Sequence, residues 1–164
     1  MLKKVSGSVL VIAVCILAGC SDGSVSKPPN TIVTASSQQD NSDLGPQGLL
    51  LAKAPGWHSQ SSPSYPQFIT VDFGAAQSMR RIGLLPQVGQ PSRGPKAVTI
   101  EVSEDGKSWR SVGNAVDACV PNAVDGWFDI NLSSEVTSRY LRLRILSNCG
   151  APDLLTLQGL RAAF

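Results

Sequence analysis

WHSQSSPSYPQFITVDFG, residues 57–74, is the stretch on which the fold reading rests. Its second half alternates. Ile69, Val71 and Phe73 fall on one face, and Phe68, Thr70 and Asp72 on the other. A period of two built from β-branched and aromatic residues predicts a half-buried strand, and Gly74 is read as its end. Upstream lies a polar loop, 59–66, holding Pro63 and Pro66, and before it the triplet Trp57-His58-Ser59 with the chain's only histidine. A strand needing burial on one side, fed by such a loop, implies a rigid β scaffold with a recognition loop at its rim.

Working outward, the same period recurs. Residues 30–35 form a candidate first strand. Ile82 and Leu84 share a face in 81–85; Val98, Ile100 and Val102 share one in the next apolar run. Glu104-Asp105-Gly106-Lys107 reads as a tight turn, with Gly106 available for positive φ, and 109–112 as its return. Phe128, Ile130 and Leu132 alternate within 127–132. The clearest strand is 140–146, where Leu141, Leu143 and Ile145 oppose Tyr140, Arg142 and Arg144. Residues 154–164 close the chain. Leu49-Leu50-Leu51 is either one helical turn or a buried connection, and 116–126 is irregular. Many short strands, turn signals between them and no sustained helical period make an all-β sandwich or barrel. Trp109 and Trp127 adjoin alternating strands and are expected in the core, and Trp57 is expected to pack structurally. Arg142 and Arg144 are expected on a solvated face.

The N-terminus carries a different signal. Lys3 and Lys4 precede an apolar run, 9–17, too short to span a bilayer and suited to a signal peptide. It closes on Leu17-Ala18-Gly19-Cys20, which resembles the bacterial lipobox and implies lipidation of Cys20. Residues 1–19 are thus expected to be removed, and 20–31 to form the lipidated N-terminus and a polar tether. Ser21 follows Cys20 and Asp22 comes one place later, which points to the outer membrane under the sorting rule for enteric-type bacteria. Removing Lys3 and Lys4 from the 14 Lys and Arg leaves 12, against 12 Asp and Glu. A side-chain balance of zero provides no long-range field for nucleic acid, so the expected membrane attachment is the lipid. About 145 mature residues suffice for one domain. After Cys15 leaves and Cys20 is lipidated, Cys119 and Cys149 remain as an even pair in an exported chain, and they are read as a disulfide.

Four stretches together resemble a family: Trp57-His58-Ser59; Pro66-Gln67-Phe68-Ile69-Thr70-Val71-Asp72-Phe73-Gly74; Val102-Ser103-Glu104-Asp105-Gly106-Lys107-Ser108-Trp109; and Arg139-Tyr140-Leu141-Arg142-Leu143. In this order and spacing they are similar to the discoidin domain, also called the coagulation factor 5/8 type C domain, over residues 32–164. The resemblance implies an eight-stranded jelly-roll β-sandwich of the galactose-binding-like kind. It also implies a binding module with ligands met by loops at one end. Those loops are the segment before Trp57 and the loops 59–66, 86–95 and 147–153. Family members often hold structural calcium with an Asp-Gly pair before the tryptophan and a Glu in the last strand. Here Ala52-Lys53 and Gln158-Gly159 stand near those places, so no metal or other cofactor is expected. Sugar-binding members often carry an arginine where Gln87 follows Pro86.

A glycan-binding rim needs an aromatic platform and fixed polar groups. The candidates are His58, Tyr65, Gln87, Arg93 and Asn148, with His58 also able to act by holding its own loop. Catalysis is not expected: one histidine cannot form a metal cluster, and no GxSxG, HExxH or phosphate-binding glycine loop is present. The sequence therefore points to a non-catalytic, lipid-anchored envelope module that recognises carbohydrate. The alternative is a protein–protein adaptor docking an envelope partner through the same loops or the cysteine-linked flap.

Overall fold

The computed structural model describes residues 30–115, Cys119 and residues 126–163. The signal segment, Cys20, the tether before residue 30 and most of 116–125 lie outside the described residues. Among the described residues there are eight strands: β1 (Ile32–Ala35), β2 (Trp57–His58), β3 (Gln67–Leu85), β4 (Pro95–Ser103), β5 (Arg110–Ala115), β6 (Phe128–Asn148), β7 (Thr156–Leu157) and β8 (Gly159–Ala163). Short 3-10 turns occupy Ser42–Leu44, Pro46–Leu51 and Pro91–Arg93. The apolar Leu49-Leu50-Leu51 run is thus helical, with Leu49 fully buried.

β3 and β6 are long antiparallel partners that run through both layers of a jelly-roll sandwich. The first half of β3 pairs with β1, and the second half of β6 with β4, which pairs in turn with β5. The second half of β3 pairs with β8 and with the first half of β6. Ile69, Val71, Ile100, Val102, Leu141 and Leu143 face the core from the first layer. Met79, Ile82, Leu84, Ile130, Val136 and Leu160 answer from the second. Each such side chain contributes roughly 1.5–3 kcal/mol on burial.

Two readings of strand ends are corrected here. Gly74 does not terminate its strand, and 81–85 is no separate element: one strand spans both. The residues 127–132 and 140–146 likewise belong to one strand, β6. Gly74 has φ 77 and bends the chain between layers, with a register shift between Asp72 and Gln77. Asp72 fixes the bend. Its carboxylate accepts from the Gly74 N–H at 2.8 Å and from Arg139 at 2.8 and 2.9 Å.

Trp57 packs structurally as expected, whereas Trp109 and Trp127 differ from expectation. Trp57 is fully buried, its indole N–H donating to the Ser37 carbonyl at 2.9 Å. Trp109 and Trp127 are half-buried, outside the core. Each precedes its strand and is covered from outside by an arginine: Arg142 lies 4.0 Å from the Trp109 ring centroid and Arg161 4.4 Å from that of Trp127. A guanidinium stacks favourably on indole, so these rings are shielded without entering the core. Arg142 is correspondingly not solvated. It also lies over Phe68 and pairs with Glu101 at 2.6 Å, while Arg144 is exposed as expected.

The β2–β7 pair closes the loop end of the core. Gly56 just before it has φ 77, and a Cβ there would meet the Leu157 carbonyl oxygen at 2.4 Å. Gly56→Ala is expected to lower stability by more than about 2 kcal/mol in urea unfolding, through left-handed strain plus the clash.

The Arg139 bond, aided by the Gly74 N–H, depresses the Asp72 carboxyl to about 2 from its ordinary 3.8. A depressed acid stabilises the folded state above its unfolded pKa and loses that contribution as pH falls through the folded one. Asp72→Asn should therefore lower stability at neutral pH and flatten its fall between about pH 4 and pH 2. Denaturant midpoints across that range check this.

Candidate functional site

Antiparallel pairing brings several loops to one end. β1 ends opposite Ile69, near the start of β3, and Pro95 at the start of β4 faces Asn148 at the end of β6. The segments 36–56, 59–66, 86–94 and 149–155 therefore share a rim. The Cys119–Cys149 disulfide is formed at this end.

Buried Gln67, at the first position of β3, organises half of the rim. Its Oε1 accepts from the hydroxyls of Ser36 (2.8 Å) and Ser37 (2.7 Å), and its Nε2 donates to the Ser64 carbonyl at 2.5 Å. Ser37 Oγ in turn accepts the Gln60 N–H, and the Gln39 N–H donates to the His58 carbonyl. One buried amide thus fixes two loops. Between them opens a polar depression of about 450 Å³, lined by Gln38, Gln39, Asp40, Asn41, Gln60 and Ser61, with Leu44 as an apolar wall. The sequence reading did not single out these residues. They are short-range polar loop residues, and only the Gln67 network shows that their backbones are held.

The other half joins His58, Arg93 and Asp153. Arg93 pairs with the Asp153 carboxylate, and this bond holds Asp153 below its ordinary pKa. Burial, then the nearby Arg93, pushes the His58 pKa down, opposed by a hydrogen bond between the imidazole and the Pro55 carbonyl. His58 is 9% exposed, and its Nε2 has no hydrogen-bond partner among the described residues. The same holds for Gln87 Oε1 and for Oγ1 of Thr156, which faces His58 across the β2–β7 pair. Unpaired buried polar atoms are uncommon and call for a water or ligand. Asp153 and Thr156 were not anticipated. An arginine and an aspartate in two loops of one rim was the available signal.

The remaining candidates separate. Tyr65 is 37% exposed at the end of the 59–66 loop, where a stacking ring could meet solvent. Asn148 clamps its own loop. Its Nδ2 donates to the carbonyls of Ala151 and Leu154, and its Oδ1 accepts the Gly150 N–H. Ser59 lies beside His58 in sequence, but its hydroxyl donates to the Gln60 carbonyl and accepts the Leu155 N–H. No nucleophile–base pair is formed there. A second depression, about 320 Å³, lies beside Trp109 at the opposite end; its Asp105 is bonded within its own turn.

A family model for the F5/8 type C domain matches residues 32–155. The chain belongs to the F5/8 type C domain family. Solved structures share its fold at low identity. CpGH89CBM32-5 from Clostridium perfringens, solved with GalNAc-β-1,3-galactose, is 19% identical over 86% of this chain and 100% of its own, with a TM-score of 0.70. Chitosan-binding module 2 of a Paenibacillus sp. IK-5 chitosanase/glucanase, solved with chitotriose, is 19% identical over 82% and 97%, TM-score 0.66. The family 32 module of C. perfringens NanJ, solved with galactose, is 12% identical over 80% and 92%, TM-score 0.66. No curated protein matches by sequence.

For this F5/8 type C domain the implied calcium does not fit the donor set. The residues at those two places meet each other directly: Gln158 Nε2 donates to the Ala52 carbonyl at 3.3 Å, and Gln158 Oε1 accepts the Val88 N–H at 3.4 Å. An N–H donor faces the carbonyl where a cation would need carboxylate oxygens. Gln158→Glu places an acceptor against that carbonyl and should cost about 1–3 kcal/mol. Thermal melting of the native protein should not move with calcium or with chelator.

Proposed function

We propose that this chain is a non-catalytic carbohydrate-binding module, held in the bacterial envelope by a lipid on Cys20 and meeting its glycan with the loop rim. The observation that carries the reading is the Gln67-braced depression. Its backbone is fixed from beneath, while the side chains of Gln38, Gln39, Asp40 and Gln60 make no hydrogen bond or ion pair among the described residues. Amides and a carboxylate on a rigid frame suit vicinal hydroxyls, each acting as donor and acceptor. The wall of Leu44 and the exposed ring of Tyr65 provide apolar surface for pyranose faces. The unpaired atoms of His58 and Gln87 add acceptors under the same rim. Shared architecture with modules solved holding galactose, chitotriose and GalNAc-galactose supports the class of ligand.

Direct binding tests the reading. The full-length lipoprotein, purified in detergent and applied to a glycan array, should retain defined glycans. Gln60→Ala should weaken that retention by about threefold to tenfold, the value of one or two lost hydrogen bonds, without changing the melting temperature. An array with no bound glycan at millimolar concentration overturns the proposal.

A further inference from the structure

The charge of the rim depression says more than its polarity. Asp40 is its only ionisable lining residue; no lysine or arginine lines it, and Asp40 makes no ion pair among the described residues. Of the cations on this rim, Arg93 is already paired with Asp153, and Lys53 does not line the depression. Asn41 Oδ1 accepts the Asp43 N–H, so the free end of Asn41 is a donor, whereas the Asp40 carboxylate is an acceptor only. A ligand filling this space must bring a donor to Asp40 and no negative charge.

We infer that Asp40 is a specificity residue that selects sugars bearing a free amino group, tolerates neutral ones and rejects uronates. The inference rests on the carbohydrate-binding reading and names the ligand class for the same site. A hexosamine ammonium donates to Asp40 with full charge complementarity, and its ring hydroxyls reach the glutamine amides. An N-acetyl group keeps the hydroxyl bonds and loses the ion pair. A uronate sets two carboxylates against each other with no lining cation between them. Asp40 is solvent-exposed, so the discrimination is modest and screened by salt.

Titration calorimetry of the full-length protein in detergent with three tetrasaccharides tests this: β-1,4-glucosamine, its fully N-acetylated counterpart and galacturonate. At low salt and pH 6, native protein should bind the amine about fivefold more tightly than the acetylated sugar and should bind galacturonate more weakly than either. Asp40→Asn should abolish that preference by weakening the amine alone, and raising salt should do the same to the native protein. Equal or tighter galacturonate binding overturns the inference. So does an unchanged preference in Asp40→Asn, or failure of both glucosamine sugars while another glycan is retained on the array. The last three results leave carbohydrate binding standing; an empty array removes both.

Discussion

The antiparallel ladder between β3 and β6 sets the rest of the molecule. Each strand is long enough to serve both layers, and their shared bend carries the chain from one to the other. A slip of one residue would turn Ile69, Val71, Leu141 and Leu143 to solvent. The register is thus fixed by the burial it permits. Asp72 and Arg139 lock the bend with a bidentate bond beside Gly74, where positive φ is required. The other strands attach to this central pair.

The two ends of the sandwich are built differently. At the far end the Glu104 turn satisfies itself: Asp105 accepts the N–H groups of Lys107 and Ser108, and its carboxyl is strongly acidified by them. At the loop end, order comes from a buried amide, Gln67, and from the short β2–β7 pair beneath it. This arrangement holds loop backbones while leaving side chains unengaged. Such preorganisation lowers the entropy cost of gripping a ligand. The outer face of the larger layer uses a third device, with arginines laid over Phe68, Trp109 and Tyr140 and ion-paired to neighbouring acids.

The candidate site was legible to different depths. His58 and Arg93 could be placed on one rim because loops of a jelly roll gather at its ends, and the structure brings them within electrostatic reach. Asn148 looked equally suitable in the sequence, since a loop asparagine does not reveal whether its amide closes its own turn. Gln38, Gln39, Asp40 and Gln60 gave no signal at all. They acquire meaning from Gln67, some thirty residues downstream of the serines it binds. Trp109 and Trp127 were misplaced for a related reason. Adjacency to an alternating strand does not fix which face a flanking residue takes, nor that an arginine will cover it.

By itself the sequence determined the class of architecture, the buried face of the alternating runs at 68–73, 82–84, 98–102, 128–132 and 141–145, and the pairing of Cys119 with Cys149. These follow from period-two burial and from a count of cysteines, both local or compositional properties. Tertiary structure alone decided that four apparent strands are two, which polar side chains are left unengaged, and that an amide bridge joins Ala52 to Gln158. Those outcomes depend on hydrogen bonds and stacking between residues far apart in the chain. Such partners are chosen by geometry, and periodicity is blind to them.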